Sequence, residues 1–171
     1  MIRRFALIAL VVAASACDSK TTPTLETPEN TIKFKADLTA AQEVPPITGA
    51  EANTSGTANI TLNLTRDSRN VITGGTVDFS VSVAGFPAGS AVNLAHIHTG
   101  FVGTSSGILV NTGLAAGEVA LNNGSATFTK TASNVAADVL TNIAANPAGF
   151  YFNVHSTANP GGVVRGQLVR Q

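Results

Sequence analysis

Short runs that alternate apolar with polar residues, each cut off by glycine, asparagine, proline or serine, set the narrowest limit on how this chain can fold. Ile32-Lys33-Phe34-Lys35-Ala36-Asp37-Leu38 carries its apolar side chains at every second position, and Ala58-Asn59-Ile60-Thr61-Leu62-Asn63-Leu64-Thr65 repeats the pattern. Successive side chains of a strand point to opposite faces, so such a run buries one face and leaves the other wet. Val71-Ile72 and Val77 to Val83 flank Gly74-Gly75, which predicts either one long strand with a bend or bulge or a tight hairpin. Further strands are expected at Val92 to His98, Ile108 to Val110, Ser125 to Thr129, Phe150 to His155 and Val163 to Val169. Many short strands separated by turn residues predict an all-β sandwich or barrel.

One segment departs from period two. Val135, Val139 and Ile143 recur every four residues between Ser133, a candidate cap, and the stop at Asn146-Pro147, so a single short helix is expected to cross between strands. No internal repeat and no second domain is visible. The one cysteine, Cys17, excludes an internal disulfide, so the domain depends on its packing.

The N-terminus has a different character. Arg3 and Arg4 stand directly before an apolar run from Phe5 to Val12 that continues in small residues to Ala16, the layout of a secretory signal. A permanent span needs about 20 apolar residues, more than this run offers before Asp18-Ser19-Lys20. Ala14-Ser15-Ala16-Cys17 resembles the bacterial lipobox, in which the cysteine is acylated and becomes the first mature residue; Ala14 stands where leucine is usual. The alternative is an ordinary signal cleaved after Ala16 that leaves a free thiol. Lipidation is favoured because an unpaired exposed thiol is a liability in an oxidising compartment. Residues 1–16 are thus expected to be a lipoprotein signal peptide and residues 17–31 a polar tether, with the domain running from 32 to 171. The expected location is the cell envelope, anchored to a membrane through the lipid and exposed to the periplasm or the cell surface. Loss of Arg3 and Arg4 leaves eight basic against ten acidic residues, which gives no basic face for a nucleic-acid partner.

All three histidines fall in two motifs, Ala95-His96-Ile97-His98-Thr99-Gly100 and Asn153-Val154-His155-Ser156. On a strand, His96 and His98 share a face with their backbones roughly 6.6 Å apart, and a third imidazole from another strand would complete a three-nitrogen site for copper or zinc. The competing reading is an ordinary polar strand face. No acidic residue lies beside either motif to orient the rings. Other catalytic constellations are weak: no serine sits in a Gly-x-Ser-x-Gly elbow, and Asp37, Glu43, Asp78 and Glu118 are scattered singly, as on solvated strand faces.

Gln42-Glu43-Val44-Pro45-Pro46, Ala95-His96-Ile97-His98, and Val154-His155-Ser156 followed by Asn159-Pro160-Gly161-Gly162-Val163-Val164-Arg165-Gly166-Gln167-Leu168 resemble, in this order, the motifs of the CHRD domain, named after chordin. Val164 stands where that family commonly has a glutamate. The resemblance runs from about Ile32 to Leu168 and implies an extracellular or envelope module with no established reaction. The histidine pattern is also loosely similar to that of copper/zinc superoxide dismutase, so the expected fold is an immunoglobulin-like or superoxide-dismutase-like β-sandwich or barrel with one short crossing helix. A two-metal dismutase is excluded on ligand count, because no histidine remains for its zinc half. The leading functional expectation is a non-catalytic binding or scaffolding module; the alternative is a mononuclear copper or zinc site on His96, His98 and His155, used for metal handling or redox chemistry. Glu43 and Arg165, motif residues of opposite charge near the two ends of the domain, are expected to lie close enough to pair.

Overall fold

A computed structural model describes residues 29–171. The expected signal peptide, Cys17 and all but the last residues of the tether lie outside the described residues. The order along the chain is β1 (Thr31–Thr39), β2 (Ser55–Arg66), β3 (Ile72–Ala84), β4 (Val92–Thr99), β5 (Ile108–Asn111), β6 (Ala126–Val135), helix α1 (Ala137–Ala145), β7 (Phe150–Ser156), β8 (Val164–Gln167) and β9 (Val169–Arg170). Every pairing is antiparallel, in the lateral order β5-β4-β7-β8-β1-β2-β3-β6, with β9 added to β1. The outermost strands β5 and β6 touch without pairing, so the single sheet curls into a nearly closed barrel. The all-β expectation holds, and of the two architectures offered it is the barrel.

Period two decides what faces inward. Phe34, Ala36 and Leu38 of β1, Ala58, Ile60 and Leu62 of β2, and Val77, Phe79 and Val81 of β3 are all buried, and Phe79 meets Phe152 of β7 across the interior with ring centroids 5.6 Å apart. Gly74-Gly75 marks an irregularity inside one long strand: β3 runs through both glycines and its register against β6 shifts between Gly75 and Val77. The helix is shorter than expected. Strand β6 continues to Val135, which pairs with Gly75, so Ser133 is a strand residue and the helix starts after Ala136 with no side-chain cap. Cross-strand pairing outweighed the four-residue spacing there. Leu140 and Ile143 of α1 are fully buried against the barrel.

The chain ends close the structure near its start. Thr39 of β1 pairs with Arg165 of β8, and a Cβ on Gly166 would run into the backbone of Asp37 on β1. Only hydrogen on that carbon permits this approach. Gly166→Ala should therefore destabilise the domain by about 1–3 kcal/mol through overpacking, read as a lower midpoint of urea unfolding at unchanged m-value.

Candidate metal centre

Strands β4, β7 and β8 turn their apolar side chains inward, Ala95 and Ile97, Phe152 and Val154, and Val164. Their alternate residues look outward: His96 and His98 from β4, Tyr151, Asn153 and His155 from β7, and Arg165 from β8. Cross-strand register sets them side by side, with His96 opposite Asn153, His98 opposite Tyr151, and Asn153 opposite Arg165. This outer face is not wet. Every residue of β7 is buried, because the segment after β4 (residues 100–107), the turn after β7 (residues 157–163) and the segment around Glu43 lie over it. His96 is 1 % exposed, and His98 and His155 are each 7 % exposed.

The three imidazoles meet there. One ring nitrogen from each lies within 4.8 Å of the other two. His98 Nδ1–H donates to the carbonyl of Ser106 at 2.9 Å, and His155 Nδ1–H donates to the carbonyl of Pro160 at 2.8 Å. Neutral imidazole has one donor and one acceptor nitrogen, so these bonds leave both Nε2 atoms as bare acceptors. His155 Nε2 faces His96 Nδ1 at 3.2 Å, so His96 holds its proton between the two rings. His98 Nε2 is buried with no partner at all. Tyr151 stacks parallel on His98, centroids 4.9 Å apart, and the Arg165 guanidinium sits 3.5 Å from the Tyr151 ring centre. Backbone carbonyls thus perform the orienting role for which the sequence offers no nearby acid.

The expected ion pair between Glu43 and Arg165 does not form. Both side chains are buried in the same neighbourhood, but the guanidinium turns away to donate to the Thr104 carbonyl at 2.7 Å and to lie over Tyr151, while Glu43 Oε1 accepts from Asn153 Nδ2 at 2.8 Å. Carbonyls and a ring face satisfy the arginine in place of the carboxylate. Glu43 is only 6 % exposed, so it is no solvated strand residue either. Gly162, at φ +135°, approaches it so closely that a Cβ there would lie 2.7 and 2.9 Å from the two carboxylate oxygens.

Sequence reading passed over Glu51. It is buried and accepts from Ser90 Oγ (2.7 Å), Ser156 Oγ (2.5 Å) and Asn159 Nδ2 (2.6 Å). Those bonds pin the turn that carries the Pro160 carbonyl, and with it the ring of His155. Tyr151 and Asn153 could have been found, since they share His155's face at spacing two, but an alternating Tyr-x-Asn-x-His strand reads as wet unless the covering loops are known.

These features define a class: an all-β barrel domain with a buried cluster of imidazoles under loops on one outer face. The CHRD domain family model matches residues 34–168, and the chain belongs to that family. No curated protein and no solved structure matches it.

Burial governs the titration of the site. Loss of hydration holds His96 down to about 4, with the neighbouring His155 and His98 charges acting the same way, and burial also lowers His98 and His155 below the ordinary imidazole value. All three rings are therefore neutral at pH 7 and able to act as ligands. Burial pushes Glu43 the other way, up to about 7, only partly offset by Arg165 and by hydrogen bonds from Val44 and Asn153. Between the unfolded and folded values the native state holds a proton on Glu43 that the unfolded state has released, so this residue's contribution to stability falls as pH rises from about 4.5 to 7. His96 acts with the opposite sign: its native ring refuses a proton the unfolded ring accepts, and stability rises with pH from about 4 to 6.5. Replacing Glu43 by glutamine removes only the first effect. Between pH 4.5 and 8, Glu43→Gln should gain stability relative to wild type by up to about 3 kcal/mol, measured by urea unfolding at both pH values; a constant difference between the two proteins would contradict the burial argument.

Proposed function

We propose that this protein is a binding module whose ligand is one copper or zinc ion, held by His96, His98 and His155, and that it is carried on the cell envelope by a lipid on Cys17. The observation that carries the metal reading is the state of the ring nitrogens: two Nδ1 atoms are fixed by carbonyls, and His98 Nε2 is left buried and unpartnered beside the other rings. A buried polar nitrogen without a partner costs about 1–3 kcal/mol, and an ion at the centre of the cluster removes that cost. At the 2.0–2.1 Å expected for metal–imidazole bonds, the present spread closes with shifts of about 1 Å or less. His96 would shift its one proton from Nδ1 to its other nitrogen, the alternative neutral tautomer, and so free Nδ1 as a ligand. Neither Glu43 nor Glu51 belongs to the ligand cluster, so the ion is bound by neutral donors alone. Bound metal supplies Lewis acidity or, if copper, one-electron chemistry; the barrel supplies burial, orientation and fixed tautomers. The scaffolding expectation thereby acquires a ligand.

Two experiments test the proposal. Added copper or zinc should raise the melting temperature of the full-length protein by several degrees at 100-fold excess over Kd, which corresponds to about 2.7 kcal/mol, and should leave the His96→Ala/His98→Ala/His155→Ala variant unmoved. Equal shifts in both proteins would place the ion elsewhere. For the anchor, a clickable fatty acid fed to an expressing bacterium should label the wild type and not Cys17→Ala, which then accumulates as unprocessed precursor or soluble protein; equal labelling of the two refutes it.

A further inference from the structure

We infer that the ion this site is built to hold is monovalent copper, Cu(I), in three-coordinate ligation. The inference rests on the three-histidine reading above and goes beyond it by choosing the metal and its charge. Two observations carry it.

The first is ligand count. Among the described residues the cluster has three donors and no fourth, because the two nearby buried carboxylates are engaged elsewhere: Glu43 with Asn153, Glu51 with Ser90, Ser156 and Asn159. Zinc seeks four ligands, and with three from protein it needs room for water in the fourth position. Here the Ser106 and Pro160 carbonyls hold two loops directly against the rings, and none of the rings is more than 7 % exposed.

Charge is the second. The cost of moving an ion out of water grows as the square of its charge, so a dication faces about four times the penalty of a monocation. Nothing among the ligands compensates it: three imidazoles contribute no negative charge, and the guanidinium of Arg165 lies on the ring that stacks against His98. A singly charged ion that is content with three nitrogen ligands meets the smaller cost here, whereas Zn2+ would need a fourth ligand and a compensating charge.

The test uses the full chain under anaerobic conditions. Cu(I) affinity is measured by competition with bicinchoninate and Zn2+ affinity by competition with a chromophoric chelator, on wild type and on the triple His→Ala variant, with circular dichroism confirming the fold. If the triple variant fails to fold, His98→Gln takes its place. The expected result is one Cu(I) per chain, held about a thousandfold more tightly than Zn2+, with X-ray absorption showing three nitrogen neighbours and the copper lost from the variant. Zn2+ bound as tightly as Cu(I) or more so, and lost from the variant, overturns the copper assignment and leaves the three-histidine site standing. Binding of neither ion more tightly than by the variant overturns both.

Discussion

A strand buried on both faces, with apolar side chains on one and polar side chains on the other, is the constraint around which this structure is arranged. Inward, β7 completes the barrel core through Phe152 and Val154. Outward, it lays Tyr151, Asn153 and His155 against their neighbours on β4 and β8. Polar groups taken from water need partners, and each one left without costs about 1–3 kcal/mol. The loops meet most of that demand with main-chain carbonyls from Phe101, Thr104, Ser106 and Pro160, while His98 Nε2 and Asn153 Oδ1 stay without partners. Loop and site therefore order each other: the carbonyls fix rings and guanidinium, and those side chains give the loops a single resting place on the sheet.

The same arrangement explains why the two motif residues of opposite charge do not embrace. A buried bidentate pair would neutralise both, but it would also take Arg165 off Tyr151 and away from the Thr104 carbonyl, which would then lack its donor. With the guanidinium so placed, Glu43 rests on Asn153, buried at 6 % exposure, and keeps a carboxyl proton up to about pH 7. Around neutrality the outer face is thus richer in positive charge than a count of its acidic residues suggests.

The barrel was readable from the sequence and most of the site was not, for a physical reason. Apolar alternation is a local property, so Ile32 to Leu38 and Ala58 to Thr65 announce their strands and inner faces directly, and Gly74-Gly75 announces an irregularity. The end of β6 is ambiguous in the sequence because Val135 serves two patterns, the last rung against Gly75 and the first apolar position of a four-residue period, and only pairing across strands chooses between them. In the site, the three histidines could be named from residue type and the face they share. Their convergence depends on β4 and β7 being neighbours, and their orientation depends on carbonyls of Ser106 and Pro160, which carry no residue-type signature. Glu51 was invisible for a related reason: it lies in a loop with no motif, and its importance comes from three donors distant in sequence, Ser90, Ser156 and Asn159.

The motifs that carry the CHRD resemblance are scattered across the chain, yet the structure gathers them at one place. Glu43 comes from the first, His96 and His98 from the second, and His155, Pro160, Gly162 and Arg165 from the third; all belong to the covered outer face or its roof. Barrel strands can exchange one branched apolar residue for another at small cost, as long as volume and alternation are kept. The covered face has no such freedom. A glycine must stand beside the Glu43 carboxylate, a carbonyl must reach each of two rings, and an arginine must reach past a tyrosine to a loop. The motifs that carry the resemblance thus supply the buried polar layer outside the barrel. Such a layer is costly to bury, and the imidazole nitrogen it leaves without a partner is the point at which the proposed function would place its ligand.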